Sequence, residues 1–439
     1  MTTFDIPVLD EVHAAAPQLD TLPGRCVPYA MAAGEGERHE LGGQLITVIA
    51  RPEDTGGQFG AAYVYGGKGT ETPFLAHDRE HRFLYVTDGR LQVWLPGESH
   101  VLVPGDSVTV PAGTPYAYRM LAHRTRFLSW LTVGDGHRWS QATGQATQSH
   151  VFDAETAPMS DARQSELADQ FGVRFHDLAK TDLPAVTGTA LPAAESPYVL
   201  QAGEGDRWAS LDQLNTYLAR PRNTGGTYFA MHTMGGKSSY IPRHFHREHT
   251  ENFFCIEGRI LLHANGREIM LTKGDFLHAP AGTIHSFAFD SHDTQMLGLL
   301  TTGVFEKFFE YMNVPTDAHV HTEGGDMQFP AEGSHGRVPS WTSRSSARRR
   351  HEATIGETCP ARTPPERLSS TLEPWRSRAP SPGQSPWSPT SRTVSPRVNS
   401  RPVIGWAPAR NSRRSRGWPA VRSSSRPAPA GSGSHHRPA

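Results

Sequence analysis

Four side chains within residues 244–285 are of the types that bind divalent metals: His244, His246, Glu251 and His285. His244 and His246 stand two residues apart, so on a β-strand both imidazoles leave the same face. The polar spacer 247–250 separates them from Glu251 and leaves room for the strand to bend or bulge. His285 follows Pro280, Ala281 and Gly282, a turn able to return a strand beside the first. Three imidazoles and one carboxylate form a mixed nitrogen and oxygen set suited to a divalent first-row metal with coordination positions left open. A single histidine on a strand is usually just a satisfied polar residue; four donors on this spacing reverse that prior.

The elements that must position these donors come in two copies. An internal repeat runs through the chain at a constant offset of 169 residues, matching 29–57 (YAMAAGEGERHELGGQLITVIARPEDTGG) with 198–226 (YVLQAGEGDRWASLDQLNTYLARPRNTGG). It continues without a gap through Pro73 and Pro242, His77 and His246, Gly89 and Gly258, Asp106 and Asp275, and Gly113 and Gly282. A repeat this long duplicates a whole domain rather than a solenoid unit. Both copies read as β: FLYVTDGRLQVWLPG and FFCIEGRILLHANGREIMLTKGD alternate in polarity between Gly, Pro, Asn and Asp punctuation. Asp88-Gly89 and Asn265-Gly266 are hairpin signals. Residues 160–178 between the copies have a helical composition. Phe305, Phe308, Phe309 and Met312 mark one face of a short helix packed on a sheet.

The second copy resembles the cupin superfamily. It carries Gly236, His244-x-His246, four residues, Glu251, six residues and Gly258, then Gly274-x5-Pro280-x-Gly282-x2-His285. The first spacing is slightly longer than the usual pattern, and Phe289 stands where the second motif often has Asn. Closer still is the resemblance to the bicupin quercetinases. HTENFFCIEG, GREIMLTKGDFLHAPAGTIHSF and DSHDTQMLG look like that family's C-terminal half; GEGER, GGKG and GDSVTVPAGTPYAYRM look like its N-terminal half. The resemblance covers residues 22–330. It implies an all-β chain of two tandem jelly-roll (double-stranded β-helix) barrels with a short helical linker. It also implies one divalent transition metal ion (Mn, Fe, Co, Ni or Cu), a flavonol and O2 as substrates, and ring cleavage with release of carbon monoxide. Glu251 would then act twice, as metal ligand and as base toward the flavonol 3-hydroxyl.

The expected organisation is an N-terminal arm (1–28), a first cupin (29–152), a partly helical linker (153–197), a second, metal-binding cupin (198–333) and a tail (334–439). In the first copy the offset puts Leu75, His77, Arg82 and Tyr116 at the ligand positions. One imidazole facing an arginine cannot hold a divalent ion, because the anionic donor has become a cation. That copy is expected to be structural, with His77 packed. Strand alternation puts Phe253 and Cys255 on the side of Glu251, and Phe287 and Phe289 on the side of His285. Phe253, Phe287 and Phe289 are candidate walls of a flavonol pocket, although core packing alone would also place aromatics there; Cys255 reads as a small buried hydrophobe.

Composition bounds the rest. The net charge of −1 hides a split: residues 341–439 hold 18 Arg, no Lys and four acidic residues, whereas the first 340 residues hold 25 basic and 40 acidic ones. The acidic part is expected to bind neither nucleic acid nor a membrane surface. Three scattered cysteines make no disulfide framework, and no apolar run spans a bilayer, so a cytoplasmic protein is expected, with a homodimer left open. In the tail, Arg, Ser and Pro make up 52 of 99 residues, yet it holds five tryptophans, which fits a disordered segment badly. The composition is that of GC-rich codons read out of frame, so the tail is expected to be a disordered low-complexity segment or, the preferred reading, a frameshift product. The competing functions are another bicupin enzyme, such as a different ring-cleaving dioxygenase or a decarboxylase, and a non-enzymatic small-molecule-binding cupin.

Overall fold

The computed structural model describes residues 15–132, 136–157, 160–181, 188–210, 212–238 and 241–323. Residues 1–14 of the expected arm and the whole expected tail, 334–439, lie outside the described residues. The chain folds as two jelly rolls, each a large sheet facing a three-stranded one. In the first copy the small sheet is Leu91–Leu95, Glu98–Leu102 and Ala117–Met120. In the second it is Arg259–Ala264, Arg267–Thr272 and His285–Phe289.

The central large-sheet strands, such as Gln44–Ala50, Phe59–Gly66 and Gln213–Ala219, read as almost unbroken apolar runs because they are buried on both faces. Along His81–Asp88, Leu84 and Val86 enter the first barrel's interior, while Phe83 and Tyr85 enter a second apolar layer shared with the other copy. Along Thr250–Glu257, Phe253 and Cys255 face the second barrel's interior, and Phe254 faces the shared layer. That layer draws on both copies: Phe59 stacks on Trp130 at 3.9 Å, and Trp130 meets Phe254 edge-on at 6.3 Å. Each such side chain withdrawn from water contributes about 1.5–3 kcal/mol, which binds the two barrels into one core.

The copies also exchange strands. Tyr29–Met31, at the head of the first repeat, pairs antiparallel with Phe276–Ala279 of the second barrel, and Tyr198–Leu200 pairs with Ser107–Val110 of the first. The exchange is symmetric down to its hydrogen bonds. Asp275 Oδ1 accepts from the Ala33 amide at 2.7 Å, and Asp106 Oδ1 accepts from Ala202 at 2.8 Å. The Tyr29 hydroxyl donates to the Ile49 carbonyl (2.9 Å) and the Tyr198 hydroxyl to that of Leu218 (2.8 Å).

Local signals resolve differently at two places. Asn265-Gly266 makes a two-residue hairpin with φ of 43° and 82°, the left-handed pair such a turn needs. Asp88-Gly89 instead marks a corner where the chain leaves the large sheet for the small one. Gly89 has φ 78°, and a Cβ there would lie 2.1 Å from the Arg124 carbonyl oxygen. The helix expected over 160–178 is shorter, Asp161–Gln170, because Phe171-Gly172 ends it and Val173–His176 then pairs with Phe74–His77. The phenylalanine-rich helix is Glu306–Met312, and Phe308 and Phe309 pack on Tyr217 and Phe229 as its periodicity requires. Helix Gly136–Thr143 was not anticipated from the sequence. Among the described residues no helix is long and apolar enough to cross a membrane.

Two outcomes are expected. Asp275→Ala removes the acceptor for the Ala33 and Thr272 amides and should cost about 1–3 kcal/mol, read as a lower urea midpoint with faster hydrogen exchange at Ala33. The second concerns pH. Burial pushes His137 and His278 down to about 3 and His232 to about 4, with the Arg82 charge adding to the effect at His137. Below the unfolded value of about 6.5, the unfolded chain takes up protons that the folded chain refuses. Stability should therefore be full above that pH and decline as pH falls toward 3–4, by up to about 1.4 kcal/mol per pH unit for each histidine. Urea midpoints between pH 7.5 and 5 check this, and His278→Thr, the residue type at the equivalent position 109, should flatten the slope.

Candidate metal centre

The four donors predicted from spacing converge in the interior of the second barrel. Their ligand atoms lie within 4.8 Å of one another; His246, Glu251 and His285 are buried and His244 is partly exposed. Glu251 is carried by the large-sheet strand Thr250–Glu257, and His285 opens the small-sheet strand His285–Phe289. A bridge between His244 and His285, with amide–carbonyl bonds of 3.0 and 2.8 Å in both directions, fixes the first imidazole beside the last. The ring centroids of His244, His246 and His285 are 4.4–5.1 Å apart.

Orientation comes from the backbone. The Pro242 carbonyl accepts from His244 Nδ1 at 2.9 Å, and the Thr283 carbonyl accepts from His285 Nδ1 at 2.8 Å. With the proton held at Nδ1, Nε2 of each neutral ring presents a lone pair to the centre. Yet His285 Nε2 lies 2.9 Å and His246 Nε2 3.0 Å from Glu251 Oε2. A neutral imidazole has one N–H and cannot satisfy both sides of His285, so a cation between ring and carboxylate resolves the conflict.

The electrostatics agree. Burial raises the Glu251 pKa, but the hydrogen bonds and charge of His246 and His285 outweigh it and hold the carboxyl well below its usual range. Burial, with the neighbouring imidazoles, pushes His244 down to about 3, and burial lowers His246 as well. A carboxyl held anionic, with burial disfavouring the protonated forms of His244 and His246, suits a divalent ion.

Of the aromatic candidates, Phe253 meets the His285 ring edge-on at 5.7 Å, and Phe287 lies 6.1 Å from Phe253. Phe289 is a layer further along: its ring is tilted against Phe287 at 5.5 Å and packs against Gly235. Cys255 is buried in the same cluster. Two neighbours escaped the sequence reading. His249, in the spacer, stacks on His246 at 4.0 Å, and burial holds its pKa well below the ordinary value. Phe305 lies 4.4 Å from His246 and 4.3 Å from His249. The histidine in the spacer was visible, but nothing in its spacing distinguished it from a solvated one. Phe305 is held by the turn Gly303–Phe305 and the helix after it, which Arg220 clamps through Glu306 and Glu310.

The first copy supplies an internal comparison. Leu75 and Tyr116 form the bridge that His244 and His285 form in the second copy. Arg82 Nη2 lies 2.8 Å from His77 Nε2, Nη1 donates to Ser129 Oγ at 3.0 Å, and the guanidinium sits 5.2 Å over the Tyr116 ring. His77 Nδ1 lies 3.0 Å from Glu80 Oε2. A fixed cation thus fills this centre, and His77 is packed.

A cupin-domain model matches residues 63–131 and 230–300, once in each barrel. Fold and site together define a bicupin with one convergent three-histidine, one-glutamate cluster. The quercetin 2,3-dioxygenase of Bacillus subtilis (strain 168) is 39% identical over 303 residues, 68% of this chain and 90% of that protein. The chain belongs to the bicupin quercetin 2,3-dioxygenase family. A second member, from Aspergillus japonicus, is 30% identical over 134 residues, 29% of this chain and 38% of that protein. Among solved structures, oxalate decarboxylase from Bacillus subtilis aligns over 67% of this chain and 78% of its own, at 12% identity and a TM-score of 0.43.

The purified protein is expected to carry one transition-metal ion per chain by elemental mass spectrometry. His246→Ala should weaken metal affinity by more than the roughly 10- to 100-fold that loss of an outer hydrogen-bond partner costs, while Arg82→Ala should leave the metal content unchanged.

Proposed function

We propose that this chain is a metal-dependent dioxygenase that cleaves the heterocyclic ring of flavonols such as quercetin with O2 and releases carbon monoxide. The observation that carries the reading is the intact His244, His246, Glu251 and His285 cluster in a chain 39% identical to a quercetin 2,3-dioxygenase over 90% of that protein. These four residues would hold a divalent transition ion. When bound, the ion supplies Lewis acidity toward the flavonol oxygens and a meeting point for dioxygen.

The chain's own residues do the remainder. Glu251 Oε2 is the oxygen on which His246 and His285 converge, which leaves Oε1 to receive the proton of the flavonol 3-hydroxyl. The partly exposed His244 marks the side of the cluster nearest solvent, the side from which a substrate would enter. Phe253, Phe287 and Phe305 offer apolar faces to a flat ring system, with Phe289 behind them, and their burial keeps bulk water from the centre.

Aerobic incubation with quercetin should bleach its visible band and release one carbon monoxide per flavonol. Glu251→Gln should retain part of the metal and lose about 10²- to 10⁴-fold in turnover, the usual share of a general base. Turnover of Glu251→Gln at the native rate would remove the base assignment. A native protein inert toward quercetin with Mn, Fe, Co, Ni and Cu each restored would remove the flavonol reading.

A further inference from the structure

Beside the cluster, His249 has polar atoms that the proposed metal centre does not use. Its side chain is buried, 2% exposed, between the His246 ring at 4.0 Å and the Phe305 ring at 4.3 Å. Neither Nδ1 nor Nε2 has a hydrogen-bond partner among the described residues. A buried, unpaired nitrogen is costly, and this ring has two, so a molecule other than the protein is needed to satisfy them.

The repeat sharpens the point. Position 249 corresponds to Glu80, whose Oε2 lies 3.0 Å from Nδ1 of His77, the residue that corresponds to His246. The copy that has lost the donor set thus carries a carboxylate beside the neighbouring imidazole. The copy that keeps the donor set carries an imidazole stacked on its neighbour, with both nitrogens free.

We propose that His249 binds an oxygen of the substrate next to the metal centre and so positions the flavonol, an inference that rests on the flavonol reading above. A neutral imidazole has one donor and one acceptor. The two ring nitrogens point away from each other, so one of them, as N–H donor, meets a single flavonol oxygen, the carbonyl beside the 3-hydroxyl whose proton Glu251 takes. Stacking against His246 and Phe305 fixes the ring plane of His249, so the hydrogen bond costs little side-chain entropy.

Two variants and a binding measurement test this. His249→Phe keeps the stacking surface and removes both nitrogens; His249→Gln keeps a donor and an acceptor. Flavonol is titrated without oxygen into native and variant proteins, both metal-loaded and metal-depleted, following its visible band. Metal content and melting temperature are measured on the same samples. His249→Phe should keep its metal and melt no lower than the native protein, yet bind flavonol about tenfold more weakly in both metal states. His249→Gln should recover part of that loss. Equal flavonol binding by native protein and His249→Phe overturns the inference alone, and so does loss of the metal from His249→Phe. A native protein that binds no flavonol defeats the flavonol reading, and the inference with it.

Discussion

The structure depends on one constraint: each large sheet is apolar on both faces and must be covered on both. The barrel interior covers one face. The other can be covered only by the equivalent sheet of the second copy, through Phe59, Trp130, Phe254 and Phe276. The exchange of Tyr29–Met31 and Tyr198–Leu200 follows the same logic, since each head strand pairs with a strand of the other copy's large sheet. The donor cluster inherits its rigidity from this arrangement. Glu251 and Phe254 sit on one strand, so the carboxylate is anchored in the layer that joins the barrels.

The two copies solve one electrostatic problem in opposite ways. A barrel interior that holds a polar cluster needs its charges matched. In the second copy an anion, Glu251, faces three imidazoles, and the set suits a cation. In the first copy the cation is covalent: Arg82 sits at the equivalent of Glu251, engaged by His77 and Ser129, with Glu80 on the far side of the imidazole. The first barrel therefore keeps its fold without any donor set, which makes the four donors of the second copy hard to explain as a packing requirement.

Much of this was legible in the sequence because it depends on local spacing. Glu251 and His285 lie on strands whose alternation can be counted, whereas the strand expected under His244 and His246 is absent: His244 makes one isolated bridge and His246 lies in irregular chain. The 169-residue offset identified the first copy as degenerate. What was not legible depends on contacts that local patterns do not encode. Tyr29 and Tyr198 begin apolar segments that look alike whichever sheet they join. Asp88-Gly89 has hairpin chemistry but lies at a corner between sheets. His249 lies in an irregular spacer with no period, and Phe305 was read as a helix face although its turn aims it at His246 and His249.

The strand exchange also bears on how such a chain can change over time. Once each barrel has lent its head strand to the other, neither half is a complete inheritance unit. Deleting the degenerate half would strip an edge strand and a sheet face from the half that keeps the donors. Selection on the second barrel is then felt in the first, whose sequence is held in place by its neighbour's chemistry although of the four donors it retains only His77.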